Sequence, residues 1–181
     1  MTVLSKVESQ QKLARLLGYL EQDIGNLNLL ADASAAALDE GQLDKANELL
    51  GRYESLAPLP PALRNLRGLV ALRENRFEDA ASLFEALLID APDDTGLRFN
   101  LAWSKTMTGD HQRAADLLDD ATTGAVTGAA ALKVQALHRL GDLEAALQCG
   151  LDLASSRPHD IAAHGCAFAR RRRLAIARPG A

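Results

Sequence analysis

Apolar and small residues recur along this chain at helical spacing, in paired runs separated by a turn residue. From Leu27 the stretch LNLLADASAAALDEGQ clusters its apolar and small side chains on one helical stripe and stops at Gly41, a C-terminal cap. LDKANELLGRYESLAP follows, with Leu43, Ala46, Leu49, Leu50 and Tyr53 on one face and Pro58 as the stop. Two helices of about 14 residues joined by a tight glycine turn predict an antiparallel hairpin. The same order returns as PALRNLRGLVALREN with FEDAASLFEALLIDAP, then as TGLRFNLAWSKTMTGD with HQRAADLLDDATTGAV. It returns once more as TGAAALKVQALHRLGD with LEAALQCGLDLASSRP.

The recurrence has a ruler. Ala46, Ala80, Ala114 and Ala146 are separated by 34, 34 and 32 residues; five positions before them stand Gly41, Asn75, Gly109 and Gly141. Pro58, Pro92 and Pro158 lie twelve positions after three of them. A period near 34 with a turn residue, a small helix residue and a closing proline is the pattern of stacked helical hairpins. The alanines are expected where the second helix crosses the first, facing Ser34, Gly68, Ala102 and Val134 twelve positions upstream. Leu43, Phe77 and Leu143 open second helices, and the prolines end them by removing an amide donor. The third unit is two residues short, and its Gly- and Thr-rich end, ATTGAVTG, is the expected soft point of the array.

Unit starts at Leu27, Pro61, Thr95 and Thr127 give repeats at 27–60, 61–94, 95–126 and 127–160. Before them, Ser5 to Gly25 reads as an amphipathic helix with Leu13, Leu16, Leu17, Leu20 and Ile24 on one stripe. Residues 1–26 are therefore read as an N-terminal capping helix, with a separate docking or dimerisation helix as the alternative. Residues 161–181 begin a fifth first helix with IAAHGCAFA and then change to an arginine-rich tail, Arg170 to Arg173 and Arg178. Three readings of that tail stand side by side: a basic binding segment, a solvated helix end, and an out-of-frame or truncation artefact.

Composition narrows the class without naming a ligand. The chain has 181 residues, is 48% hydrophobic and 24% charged, and is rich in Leu and Ala with few β-branched residues, so an all-α fold is expected. A net charge of −4 disfavours nucleic acid as the main partner. Two cysteines, Cys149 and Cys166, form no disulfide framework, and no stretch reaches the length of a membrane span, so a bacterial-type cytoplasmic location is expected. No phosphate loop, nucleophile elbow or dinucleotide fingerprint occurs, and His159, His164 and Cys166 match no zinc signature. His111 is expected to pack where its siblings are Leu or Phe. No catalysis, cofactor or metal is expected.

The combined pattern resembles the tetratricopeptide repeat family, most closely in Gly68, Ala71, Phe77, Ala80, Phe84 and Pro92, and over residues 27–160. Arg67 and Lys133 stand where that family usually places Leu, Gly150 replaces an aromatic, and Val126 replaces the third proline. The resemblance implies a right-handed superhelical α-solenoid whose concave wall is lined by first helices. It also implies wall positions at fixed places in each unit: Asn65, Leu69 and Arg73; Phe99, Asn100 and Trp103; Gln135, His138 and Arg139. Trp103 is the leading anchor, since Trp and Arg dominate binding hot spots, with packing against the neighbouring unit as its other possible role. Ala31, Ala35, Gly96 and Gly128 leave the family's carboxylate clamp empty. The expected function is a non-catalytic scaffold or adaptor for a protein or peptide. The alternative is a regulatory or substrate-presenting region of a larger enzyme such as a transferase. Self-association through the C-terminal repeat, at Ile161 and Phe168, is a further expected contact.

Overall fold

The computed structural model describes residues 3–156, with side chains from residue 11 to 155. The described residues form ten helices and no strand: α1 Val3–Gln22, α2 Leu27–Asp39, α3 Leu43–Leu56, α4 Pro61–Arg73, α5 Phe77–Asp90, α6 Thr95–Thr108, α7 His111–Leu117, α8 Asp120–Ala125, α9 Ala129–Leu140 and α10 Leu143–Ser156. They fall into two compact units divided between Asp90 and Ala91. Pro158, His159, Ile161, His164, Cys166, Phe168 and the arginine-rich stretch lie outside the described residues.

In the first unit α1 packs on α2, α2 pairs with α3, and α4 pairs with α5. Leu13 and Leu20 of α1 are buried in one cluster with Leu30, Ala33, Ala46, Leu49 and Leu50. A leucine buried in full contributes about 1.5–3 kcal/mol, and Leu30, Leu49 and Leu50 have no exposed surface. Ile24 departs from the expected stripe: α1 ends at Gln22, and Ile24 is 70% exposed. Polar ties join neighbouring helices at the surface. Asn47 Nδ2 donates to Glu74 Oε1 at 2.6 Å, Arg67 pairs with Glu54 at 2.7 Å, and Arg52 donates to the Ile24 carbonyl.

The turns inside the hairpins follow from the residues five positions before the recurrent alanines. Gly41, Asn75, Gly109 and Gly141 all have positive φ, a region that costs most L-residues about 1–2 kcal/mol. At Gly41 the Gln42 amide reaches back to the Ala37 carbonyl and the Gly41 amide to Leu38. Arg76 to Ala71 with Asn75 to Leu72, and Asp142 to Leu137 with Gly141 to His138, repeat the pair. Each turn thus satisfies carbonyls that the helix end leaves open. The second helices start at Leu43, Phe77, His111 and Leu143, and Ala46, Ala80, Ala114 and Ala146 are all buried behind them.

In the second hairpin the floor is a matched pair of residues, Gly68 and Phe84. A Cβ on Gly68 would meet the Phe84 ring at 2.6 Å, so glycine is there to make room for a fully buried aromatic. In the last hairpin the sizes are reversed. Gly150 stands where Phe84 does, and the nearest side chain to its ideal Cβ is Val134 at 4.0 Å. The missing aromatic at Gly150 is thus matched by a valine in the place of Gly68.

In the second unit α6 packs with α7 and α8, α7 and α8 with α9, α6 with α9, and α9 with α10. Its core cluster is Ala102, Ala114, Ala115, Leu118, Ala129 and Ala136, largely alanine, which allows close helix approach but removes less apolar surface from water than leucine. The stretch read as one trailing second helix is instead two short helices. The break comes at Leu118 and Asp119, before the Gly- and Thr-rich stretch, and ATTGA lies within α8. The cause is Asp119: its side chain accepts the Thr122 amide at 2.8 Å and starts a new helix, which an aspartate does better than continue one.

Candidate functional site

The surface of α6 in the second unit is set from its start. Asp94 accepts the Leu97 amide at 2.9 Å and caps the helix. Phe99, Trp103 and Met107 then recur every four residues along one face. Phe99 is half-buried against the alanine cluster, so its ring is fixed from below. Trp103 stands edge-on to it, with ring centroids 6.0 Å apart and planes at 89°, a contact contributing about 0.5–1.5 kcal/mol. Trp103 is 47% exposed and Met107 51%. Trp103 is thus exposed, and Phe99 packs against the alanine cluster. Asn100 is half-buried next to them, and its backbone carbonyl accepts the Ser104 hydroxyl.

α9 lies against α6 and shares its alanine cluster through Ala129 and Ala136. It presents Gln135, His138 and Arg139, all exposed. His138 and Arg139 fall in its last turn, where the helix dipole favours cations. Counting back from the recurrent alanines puts Trp103 and Gln135 in one register and Met107 and Arg139 in another. Met107, four residues after Trp103, adds a second exposed apolar side chain to the face that the sequence pattern assigned to Phe99, Asn100 and Trp103.

In the first unit Asn65, Leu69 and Arg73 lie at i, i+4 and i+8 on α4. Leu69 packs on the leucine core, Arg73 is exposed in the last turn, and Asn65 is half-buried with its Oδ1 unpartnered. His111 opens α7 half-buried, with Nδ1 unpartnered.

Arg98 holds the start of the second unit together. Its Nε donates to the Pro92 carbonyl at 2.7 Å, one Nη pairs with Asp93 at 3.3 Å, and the other pairs with Asp119. The Thr122 amide, with Arg98 beside it, holds the Asp119 carboxyl below the usual carboxylate range. A carboxyl lowered in the folded state stabilises above its unfolded pKa, and that contribution is lost as pH falls through the lowered value. Asp119→Asn keeps the cap but removes the charge. In urea unfolding the wild type is expected to exceed this variant at neutral pH and to lose its lead in acid. A difference constant across pH would contradict the role given to the charge.

Among the described residues no group of three or more His, Cys, Asp or Glu is placed to hold a metal ion, and no helix is long and apolar enough to cross a membrane. Cys149 is a half-buried free thiol whose pKa burial pushes up.

Hairpins with left-handed turns, a small residue at each crossing and an exposed first-helix face define a helical-repeat protein. A family model of the tetratricopeptide repeat matches residues 32–95 and again 66–130, more than half of the chain, and the chain belongs to that family. Among solved structures it is similar to MamA (41-end) from Desulfovibrio magneticus RS-1, at TM-score 0.76 and 16% identity, covering 87% of this chain and 90% of that one. It is similar to YrrB, described as a TPR protein with an unusual peptide-binding site, at TM-score 0.72 and 17% identity, covering 90% and 85%. A tetratricopeptide repeat protein from Parabacteroides merdae ATCC 43184 matches at TM-score 0.75 and 14% identity, covering 91% and 66%. At these identities the likeness is one of fold. No curated protein matches the chain.

Proposed function

We propose that the chain is a non-catalytic adaptor of the cytoplasm that holds a segment of another protein against its first helices. The observation that carries this reading is Trp103, a large apolar side chain left 47% exposed while the ring beneath it is fixed. An exposed tryptophan on a rigid base loses little entropy on binding and is the residue type that most often anchors an interface. Gln135 and Arg139 on the adjoining helix add polar contacts to the same face. The peptide-binding site ascribed to YrrB agrees with this use of the fold.

The test is capture of partners from the native cell extract by the immobilised chain. Gln135→Ala with Arg139→Ala is expected to weaken capture, while Gln148→Ala with Asp152→Ala, exposed on α10, leaves it unchanged. Capture that depends on the α10 pair and ignores the α9 pair would overturn the proposal.

A further inference from the structure

Charge is unevenly divided among the helices. α2 carries Asp32 and Asp39 and no cation, and α3 and α7 carry both signs, but five other helices are each of one sign. The first helices α4, α6 and α9 carry Arg64, Arg67, Arg73, Arg98, Lys105, Lys133 and Arg139 and not one Asp or Glu. The second helices α5 and α10 carry Glu78, Asp79, Glu85, Asp90, Glu144 and Asp152 and not one Lys or Arg. The overall charge of −4 conceals this division.

Not every first-helix cation in the second unit faces a ligand. Arg98 is held by Pro92, Asp93 and Asp119, and Lys105 and Lys133 are half-buried. Arg139 is exposed and forms no ion pair among the described residues. It shares its register with Met107 on the adjoining helix, one turn along from Trp103. An apolar strip thus lies beside an unpaired cation, on two helices that contain no carboxylate. We infer that the segment bound by the second unit is an acidic peptide. An apolar side chain of the peptide seats on Trp103 and Met107, and a neighbouring Asp or Glu meets Arg139.

The inference rests on the adaptor reading and adds the chemistry of its ligand. The negative charge of the second helices does not oppose it. Exposed charges are screened beyond about 8–10 Å at ordinary salt, so the cation at the site outweighs the distant acids. A lysine-rich peptide meets the reverse, a like charge at Arg139.

Trp103 is the only tryptophan of the chain, so its emission reports on this face alone. The experiment titrates the full chain with three synthetic peptides of equal length, alternating leucine with glutamate, glutamine or lysine. The glutamate–leucine peptide is expected to shift the emission to the blue at the lowest concentration. Arg139→Glu should weaken that peptide by about fivefold and strengthen the lysine–leucine peptide by a similar factor, as for an exposed charge pair. Equal binding of the three peptides, or tighter binding of the lysine peptide, would overturn the acidic preference and leave the adaptor reading standing. Emission unmoved by all three would overturn the inference as well, with the adaptor reading judged separately by capture of the native partner.

Discussion

Replacing Gly68 by alanine is expected to destabilise the first unit by about 1–2 kcal/mol, although alanine is the better helix former. Helix propensity alone favours the change by about 1 kcal/mol. Against it, the new methyl carbon would lie 2.6 and 2.7 Å from two atoms of the Phe84 ring. Phe84 has no exposed surface, so the ring has nowhere to go, and overpacking of this kind costs about 1–3 kcal/mol. A second substitution makes the argument specific. The third hairpin carries Ala102 and Leu118 at the corresponding positions, both buried. Gly68→Ala with Phe84→Leu copies that pair, and its cost should fall short of the sum of the two single costs by about 0.5–3 kcal/mol. Urea midpoints of the four chains of this cycle check it. Additive costs, or a Gly68→Ala chain as stable as wild type, would contradict the close packing described.

Trp103→Ala is expected to lower affinity for the native partner by at least about 2 kcal/mol, roughly thirtyfold, with helical circular dichroism unchanged. The two halves of that expectation have separate causes. The helices are kept because nearly half of the residue already faces water and the alanine cluster beneath is closed by Phe99, so the loss is confined to the ring contact. Binding is not spared, because Phe99 alone presents only its half-buried ring and Met107 is flexible. Trp103→Phe should keep part of the affinity.

The hairpins were legible because the residues that make them act locally. A left-handed turn demands glycine or asparagine wherever it falls, and a close helix crossing demands a small residue, so Gly41, Asn75 and the recurrent alanines carry their meaning in their own chemistry. The pairing of Phe84 with Gly68 was half visible. At Gly150 the sequence shows only a missing aromatic; that Val134 is the side chain facing it appears in the packing.

Other features depend on partners far apart in sequence. The break before α8 needs Asp119 as a cap, and Arg98, 21 residues earlier, completes it. Within LLDDATTG Asp119 offers a cap, but Asp120 offers one as well, and the sequence alone does not choose between them. Ile24 continued the leucine stripe on paper, but the helix ends first. Periodicity placed Trp103 on the first-helix face without deciding whether it is covered, because exposure depends on what the neighbouring helix offers. The absence of Asp and Glu from α6 and α9 was readable in the sequence, yet it acquires meaning only once the two helices pack together.

The measurement that bears most directly on the account is acrylamide quenching of Trp103 in the full chain, alone and with its captured partner bound. The account predicts that free Trp103 is readily quenched and that the bound partner shields it. A partner that remains bound while Trp103 is quenched as before would show that binding takes place on another surface.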